Sequence, residues 1–126
     1  MSLQYVHTDS APQAIGPYSQ AVKANGFLYI SGQIPVDPAT GAVVEPTFVA
    51  QTRQSMKNLE AILKEAGLTF ADVVKANLYI TDMDHFPEVN EAYGAFFTGD
   101  CPARACVEVS RLPKNVLVEI EMIAAC

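Results

Sequence analysis

Apolar and polar positions divide the chain into short alternating runs and two stretches with spacings of three and four. Residues 4–7 form a short first run. Runs over 18–24 and 27–32 follow, joined by Asn25-Gly26, the strongest short hairpin signal in a sequence. In the 27–32 strand Leu28 and Ile30 share one face and Phe27, Tyr29 and Ser31 the other. Gly32 closes it and permits a close backbone approach. Two prolines and a glycine make residues 10–18 an ordered loop, and Asp37-Pro38 and Thr40-Gly41 mark another over 34–46. Thr47 then reads as an N-cap. Val49, Thr52, Met56, Leu59, Leu63 and Ala66 follow as one helical stripe, ended by Gly67.

Residues 72–81 return to alternation, with Val74, Ala76, Leu78 and Ile80 toward the core and Val73, Lys75, Asn77 and Tyr79 away. A strand, a long helix and a strand predict a right-handed crossover. Asp82 or Asp84 caps a second helix carrying Phe86, Val89, Tyr93 and Phe96 or Phe97, with Pro87 in its first turn and Gly99 stopping it.

The last quarter holds two β-like runs. In one, Arg104, Cys106 and Glu108 point opposite to Ala105, Val107 and Val109. In the other, Leu117, Glu119 and Glu121 point opposite to Val118, Ile120 and Met122. Residues 111–115 contain a Pro and an Asn, as a hairpin loop should. Folded back as an antiparallel hairpin, Arg104 and Cys106 would lie across from the 119–121 segment. An exposed cross-strand ion pair is one reading of that arrangement and contributes little. An anion-recognition site is the other, since a guanidinium offers a rigid fork to a carboxylate and a neighbouring Glu can handle protons.

Sorted by face, Leu28, Ile30, Val74, Leu78, Ile80, Val107, Val109, Val118, Ile120 and Met122 form the side that two helices must cover. Phe27, Tyr29, Ser31, Asn77, Tyr79, Arg104, Cys106 and Glu119 form the other. That mixture is too aromatic for a plain solvent face and too polar for a closed core. It predicts a homo-oligomer with inward-facing sheets and polar pockets at the contacts, the alternative being a monomer with a half-wet sheet.

At 126 residues, half of them hydrophobic, the chain is expected to form one ordered domain over 1–126. Its net charge of −6 disfavours general affinity for nucleic acid or anionic membranes, leaving room for a local basic pocket at Arg104. The three cysteines, Cys101, Cys106 and Cys126, are odd in number and lack CxxC spacing, so neither a disulfide framework nor structural zinc is expected. His7 and His85 lie in no ligand pattern. No signal-peptide, transit or membrane-spanning pattern is present, so a cytoplasmic protein is expected.

Four blocks carry a resemblance: APQAIGPYSQ at 11–20, YISGQIP at 29–35, FPEVNEAY at 86–93 and PARACVEV at 102–109, the last continuing through Leu112-Pro113 to Val118-Glu119-Ile120. In this order and spacing they resemble the reactive intermediate deaminase family (RidA/YjgF) over almost the whole chain. The resemblance implies a chorismate-mutase-like α+β fold, one mixed sheet with two helices packed on one face, assembled as a homotrimer with clefts between subunits. It implies hydrolysis of 2-imino acids to 2-oxo acids and ammonia without cofactor or metal. By position, Arg104 would bind the substrate carboxylate. Glu119 would deprotonate or orient the attacking water, or else hold Arg104 by a salt bridge. Tyr18, Ser31, Gly32, Asn90 and Cys106 would line the cleft. No His is placed by motif to activate Cys106, so a wall role fits it better than a nucleophile's. Residues 97–101 form a shorter segment than in many members, and Cys101 stands where an aromatic residue usually precedes the Pro, a departure that bears on side-chain selectivity. Rival readings are an endoribonuclease that inhibits translation, which the charge disfavours, and a non-catalytic 2-oxo-acid-binding or chaperone-like module, which would need only Arg104.

Overall fold

The computed structural model describes residues 2–126. Six strands form one mixed sheet: β1 (Gln4–Val6), β2 (Ala21–Ala24), β3 (Phe27–Gln33), β4 (Val73–Ile80), β5 (Ala103–Glu108) and β6 (Val118–Ala125). Their spatial order is β1-β2-β3-β6-β4-β5. Helices α1 (Phe48–Glu65) and α2 (Phe86–Gly94) complete the α+β fold, with α1 packed over β3 and β6 and α2 beside α1.

Most local expectations are met. Asn25 and Gly26 take φ of 51° and 80°, as a tight hairpin between β2 and β3 requires. Thr47 caps α1, its Oγ1 accepting from the Ala50 N–H at 3.1 Å. Leu28, Ile30, Ala76, Leu78, Ile80, Val118, Ile120 and Met122 are buried beneath Met56, Leu59, Ile62 and Leu63 of α1 and Val89 and Tyr93 of α2. The other face carries half-exposed Phe27, Tyr29 and Val107. The buried side of α1 is wider than the expected stripe. It takes in Phe48, Gln51, Ser55, Asn58 and Ile62, while Val49 and Ala66 are only half-buried. Two of these polar residues hold loops: Asn58 Nδ2 donates to Ile34 O and Val36 O, and Gln51 Oε1 accepts from the Leu117 N–H at 2.7 Å. Helix α2 ends at Gly94, five residues short of Gly99, and Asp82 caps a separate turn at Met83–His85 that leads into it.

The expected terminal hairpin does not form. Strand β6 lies between β3 and β4, antiparallel to both, and β5 pairs with the far side of β4 in parallel. The reason is burial. Val118, Ile120, Met122 and Ala124 are all buried, so β6 takes the sheet centre. Strand β5 is largely exposed and carries charges, as edge strands do. The nine residues between them are also longer than a hairpin loop. The strand–helix–strand unit of β3, α1 and β4 is therefore split by β6, and β4, α2 and β5 form a second unit that the sequence pattern did not announce.

This pairing inverts the faces assigned to β5. Arg104 registers with buried Ala76 and Cys106 with buried Leu78, so both point to the helix side, whereas Val107 registers with Tyr79 on the open side. A bulge between Val73 and Lys75 likewise turns Val74 outward and Val73 into the core.

Candidate functional site

The candidate residues fall into two groups on opposite faces of the sheet. The first is built on α2 and β5. Phe86, Asn90 and Tyr93 stand at spacings of four and three and so share one helix face. Arg104 lies against it. Its Nη1 donates to Asn90 Oδ1 at 2.6 Å, and its Cζ stands 5.3 Å from the ring centroids of both Phe86 and Tyr93. Aromatic faces attract the guanidinium and limit its motion. No carboxylate pairs with Arg104 among the described residues. Burial pushes the Cys106 thiol up, with Arg104 pulling the other way, so the sulfur stays protonated near neutral pH. Burial also drives the Tyr93 phenol up to about 12, against the pull of Arg104. Its hydroxyl is buried without a hydrogen-bond partner.

The second group is built on the loop at 11–20, β3 and β6. Buried Gln20 staples the loop: its side chain accepts from the Thr8 N–H at 2.7 Å and donates to Thr8 O at 3.0 Å and Pro12 O at 2.8 Å. Tyr18, expected inside a strand, precedes β2 and is half-exposed. Ser31 Oγ donates to Ser19 O at 2.6 Å, tying β3 to that loop. The β3–β6 register shifts between Ile30 and Gln33, and Gly32 lies in that irregularity. Glu119 occupies the space a side chain at 32 would need: a Cβ there would stand 2.9 Å from Glu119 Cδ and nearer still to its Oε2. Burial raises the Glu119 carboxyl above the ordinary range, and Glu121 adds to the rise. Glu121 accepts from Tyr79 Oη at 2.5 Å and from Asn77 Nδ2 at 3.3 Å. That bond holds the Tyr79 phenol up at about 12.

Arg104, Asn90 and Cys106 thus come together, and Tyr18, Ser31, Gly32 and Glu119 gather on other elements. The sheet separates Arg104 from Glu119, because Arg104 shares the face of Ala76 and Glu119 that of Tyr79. The expected pairing of Arg104 with the 119–121 segment is therefore absent within one chain, and Asn90 orients the guanidinium instead. Sequence reasoning missed Phe86 and Tyr93 as a cradle, though their spacing with Asn90 was readable. It also missed Gln20, whose role depends on contacts 12 residues away. No group of three or more His, Cys, Asp or Glu suited to a metal occurs among the described residues. A cavity of about 230 Å³ adjoins Tyr18 and Gly32. A larger groove of about 1300 Å³, against Phe70 and Phe97, touches none of the candidate residues.

The Endoribonuclease L-PSP family profile matches residues 8–126. A 2-iminobutanoate/2-iminopropanoate deaminase of Salmonella typhimurium is 52% identical, over 94% of both chains. The chain belongs to the RidA/YjgF family. A RutC family protein of Pyrococcus horikoshii is also 52% identical, over 96% of each chain. The solved structure of E. coli TdcF with bound serine superposes with a TM-score of 0.94 at 43% identity, covering 98% of both chains. RidA/YjgF relatives thus carry both deaminase and endoribonuclease names. No helix among the described residues is long and apolar enough to cross a membrane.

Proposed function

We propose that the protein hydrolyses 2-imino acids to 2-oxo acids and ammonia, in a cleft that two copies of the chain complete within a homotrimer. The supporting observation is Arg104: a guanidinium fixed by Asn90, Phe86 and Tyr93, with no acid partner among the described residues, in a chain of net charge −6. A cation so placed suits an incoming carboxylate. The open sheet face, with Phe27, Tyr29 and Val107, supplies the surface for association. On this reading Arg104, Asn90 and Cys106 of one copy face Tyr18, Ser31, Gly32 and Glu119 of the next.

The substrate carboxylate binds the Arg104 fork, which places the C=N carbon against the Glu119 side. Ionised Glu119 takes a proton from water as the oxygen adds to that carbon, giving a carbinolamine. Glu119 returns the proton to nitrogen, then takes the hydroxyl proton as the C=O bond forms and the C–N bond breaks, and ammonia leaves the 2-oxo acid, carrying that proton away as ammonium. Positioning and electrostatics suffice because the protonated imine is already electrophilic. The protonated thiol of Cys106 serves as wall.

Imines generated in situ from 2-aminobutanoate and alanine test this, with ammonia release as readout. Wild type should accelerate it and Arg104→Ala should not, at an unchanged oligomeric state. Equal rates in both proteins would remove Arg104 from the reaction. The serine-bound TdcF structure favours a second reading, a small-molecule binder without turnover. Tight 2-oxo-acid binding by a wild type that leaves the imine rate unaltered would establish it. The endoribonuclease name predicts salt-sensitive RNA binding, which 14 acidic against 8 basic residues disfavour.

A further inference from the structure

We propose that Glu121, gripped by Tyr79 and Asn77, is a positioning residue whose fixed negative charge makes Glu119 a stronger base and so sets the pH range in which the cleft works. The proposal rests on the imine-hydrolysis reading for its reaction, while the action of one carboxylate on the other is argued from the sheet.

Strand β6 carries both acids. Glu119 and Glu121 alternate with buried Val118, Ile120 and Met122, so both point to the open face, roughly 7 Å apart along the strand. Their surroundings differ. Tyr79 registers with Glu119, and Asn77 with Glu121. The Tyr79 phenol nevertheless passes its direct neighbour and donates to Glu121 Oε1 at 2.5 Å, where Asn77 Nδ2 also donates at 3.3 Å. A long aromatic side chain can make that diagonal reach. Glu119 receives no such bond among the described residues and lies half-buried against Gly32.

Little else in the chain competes with this pair. On the β4 side the one cation is Lys75, opposite Ile123, and it bridges to neither acid. Strand β5 turns Ala103, Ala105 and Val107 to the open face, none of them charged. Strand β3 brings Ser31 and Gly32, with the Tyr29 phenol further along, opposite Ile123. In the proposed assembly the adjoining copy adds Arg104, which every variant below retains. Two carboxylates placed in unlike environments divide acid–base work between them. A charge pinned at 121 repels a second one at 119, so Glu119 binds a proton more firmly, in the same direction as its burial. Tyr79 and Asn77 keep that charge in one place. An ordinary cross-strand contact would support the sheet and leave the proton affinity at 119 alone.

The test uses the full chain with Glu121→Gln and Glu121→Asp. Gln keeps the size and an acceptor oxygen for both bonds, and melting temperature and oligomeric state check each variant. Imine made in situ from 2-aminobutanoate by excess amino-acid oxidase gives kcat/KM against pH. Titration of the substrate itself is common to all the proteins, so differences between profiles belong to the protein. Carbon-13 NMR of the Glu119 carboxyl, assigned by its loss in Glu119→Gln, reads proton affinity without turnover. Glu121→Gln should move both the acid limb and the Glu119 titration down by about 0.5–1 pH unit. The limb's plateau should fall a few-fold, on the order expected for a weaker base. Glu121→Asp keeps the charge and should stay within about 0.3 unit of wild type. An unmoved Glu119 titration in Glu121→Gln, or a shift in Glu121→Asp as large as in Glu121→Gln, overturns the proposal. The NMR shift without imine hydrolysis by any of the proteins would sustain the action of Glu121 on Glu119 and sink the hydrolysis reading. Hydrolysis with limb and titration both unmoved would do the reverse.

Discussion

The two halves of the candidate site are built on opposite principles. Around Arg104 the charge is exposed and the protein supplies faces: two aromatic rings and a neutral amide. Around Glu119 the charge is half-buried and the protein supplies space, by omitting a side chain at Gly32. Arg104 keeps its charge at little cost because water reaches it. Glu119 holds a proton more tightly because burial and Glu121 both disfavour its ionised form. On the proposed reading, one half is a fixed cation and the other an adjustable proton acceptor, a division of labour suited to adding water to a charged imine.

Breaking the cation half should have the largest effect. Arg104→Ala removes a bidentate contact whose charge-assisted bonds contribute about 1.5–3 kcal/mol each, so kcat/KM for 2-iminobutanoate should fall on the order of a thousandfold. Arg104→Lys should recover little of it, because an ammonium has no fork and packs less well on two rings. Thermal unfolding of Arg104→Ala should move little, since the side chain is exposed.

The proton-handling half breaks next. Glu119→Gln should lower kcat/KM by on the order of a hundredfold, the usual contribution of a general base. The wild-type rate should rise with pH through the raised Glu119 pKa, and the variant should lack that limb. Stability gives a second readout. With the folded pKa above the unfolded one, the folded state holds its proton longer, so wild type loses stability as pH rises between those values. Glu119→Gln escapes that loss. Its melting temperature relative to wild type should be higher at about pH 8 than at about pH 4. Gly32→Ala should act more mildly through the same carboxylate. The new Cβ would displace Glu119, for about a tenfold loss of kcat, and a larger loss in Gly32→Val would place the effect in that crowding.

How far the sequence exposed this division follows from what each residue depends on. The Asn25-Gly26 turn, the Thr47 cap and the alternation of β6 are local, and local chemistry predicts them. The faces of β5 are not local. A strand of six residues, with Arg104, Cys106 and Glu108 on one side and Ala103, Ala105 and Val107 on the other, takes its facing from whichever neighbour it joins, and here its charged side meets α2. Alternation could not say that the neighbour would be β4. Arg104 and Glu119 were thus singled out as candidates and misplaced as a pair. Gln20, Gln51 and Asn58 were invisible because buried amides act through distant backbone, and composition alone marks them as surface residues.

The finest distinction lies inside the cation half, between the ring of Tyr93 and its hydroxyl. The ring faces Arg104 and also packs on Phe97 at 4.9 Å between centroids. The hydroxyl is buried and satisfies nothing. An unpaired buried hydroxyl costs about 1–3 kcal/mol, so Tyr93→Phe should be at least as stable as wild type, measured by urea unfolding. It should retain activity within about twofold, because a phenyl face still attracts the guanidinium. Tyr93→Leu keeps bulk but lacks that face, and should raise KM more than it lowers kcat as the fork loosens. Should Tyr93→Phe instead lose activity as Tyr93→Leu does, the hydroxyl would have a task in the bound state, and the cation half would contain a second polar contact besides Asn90.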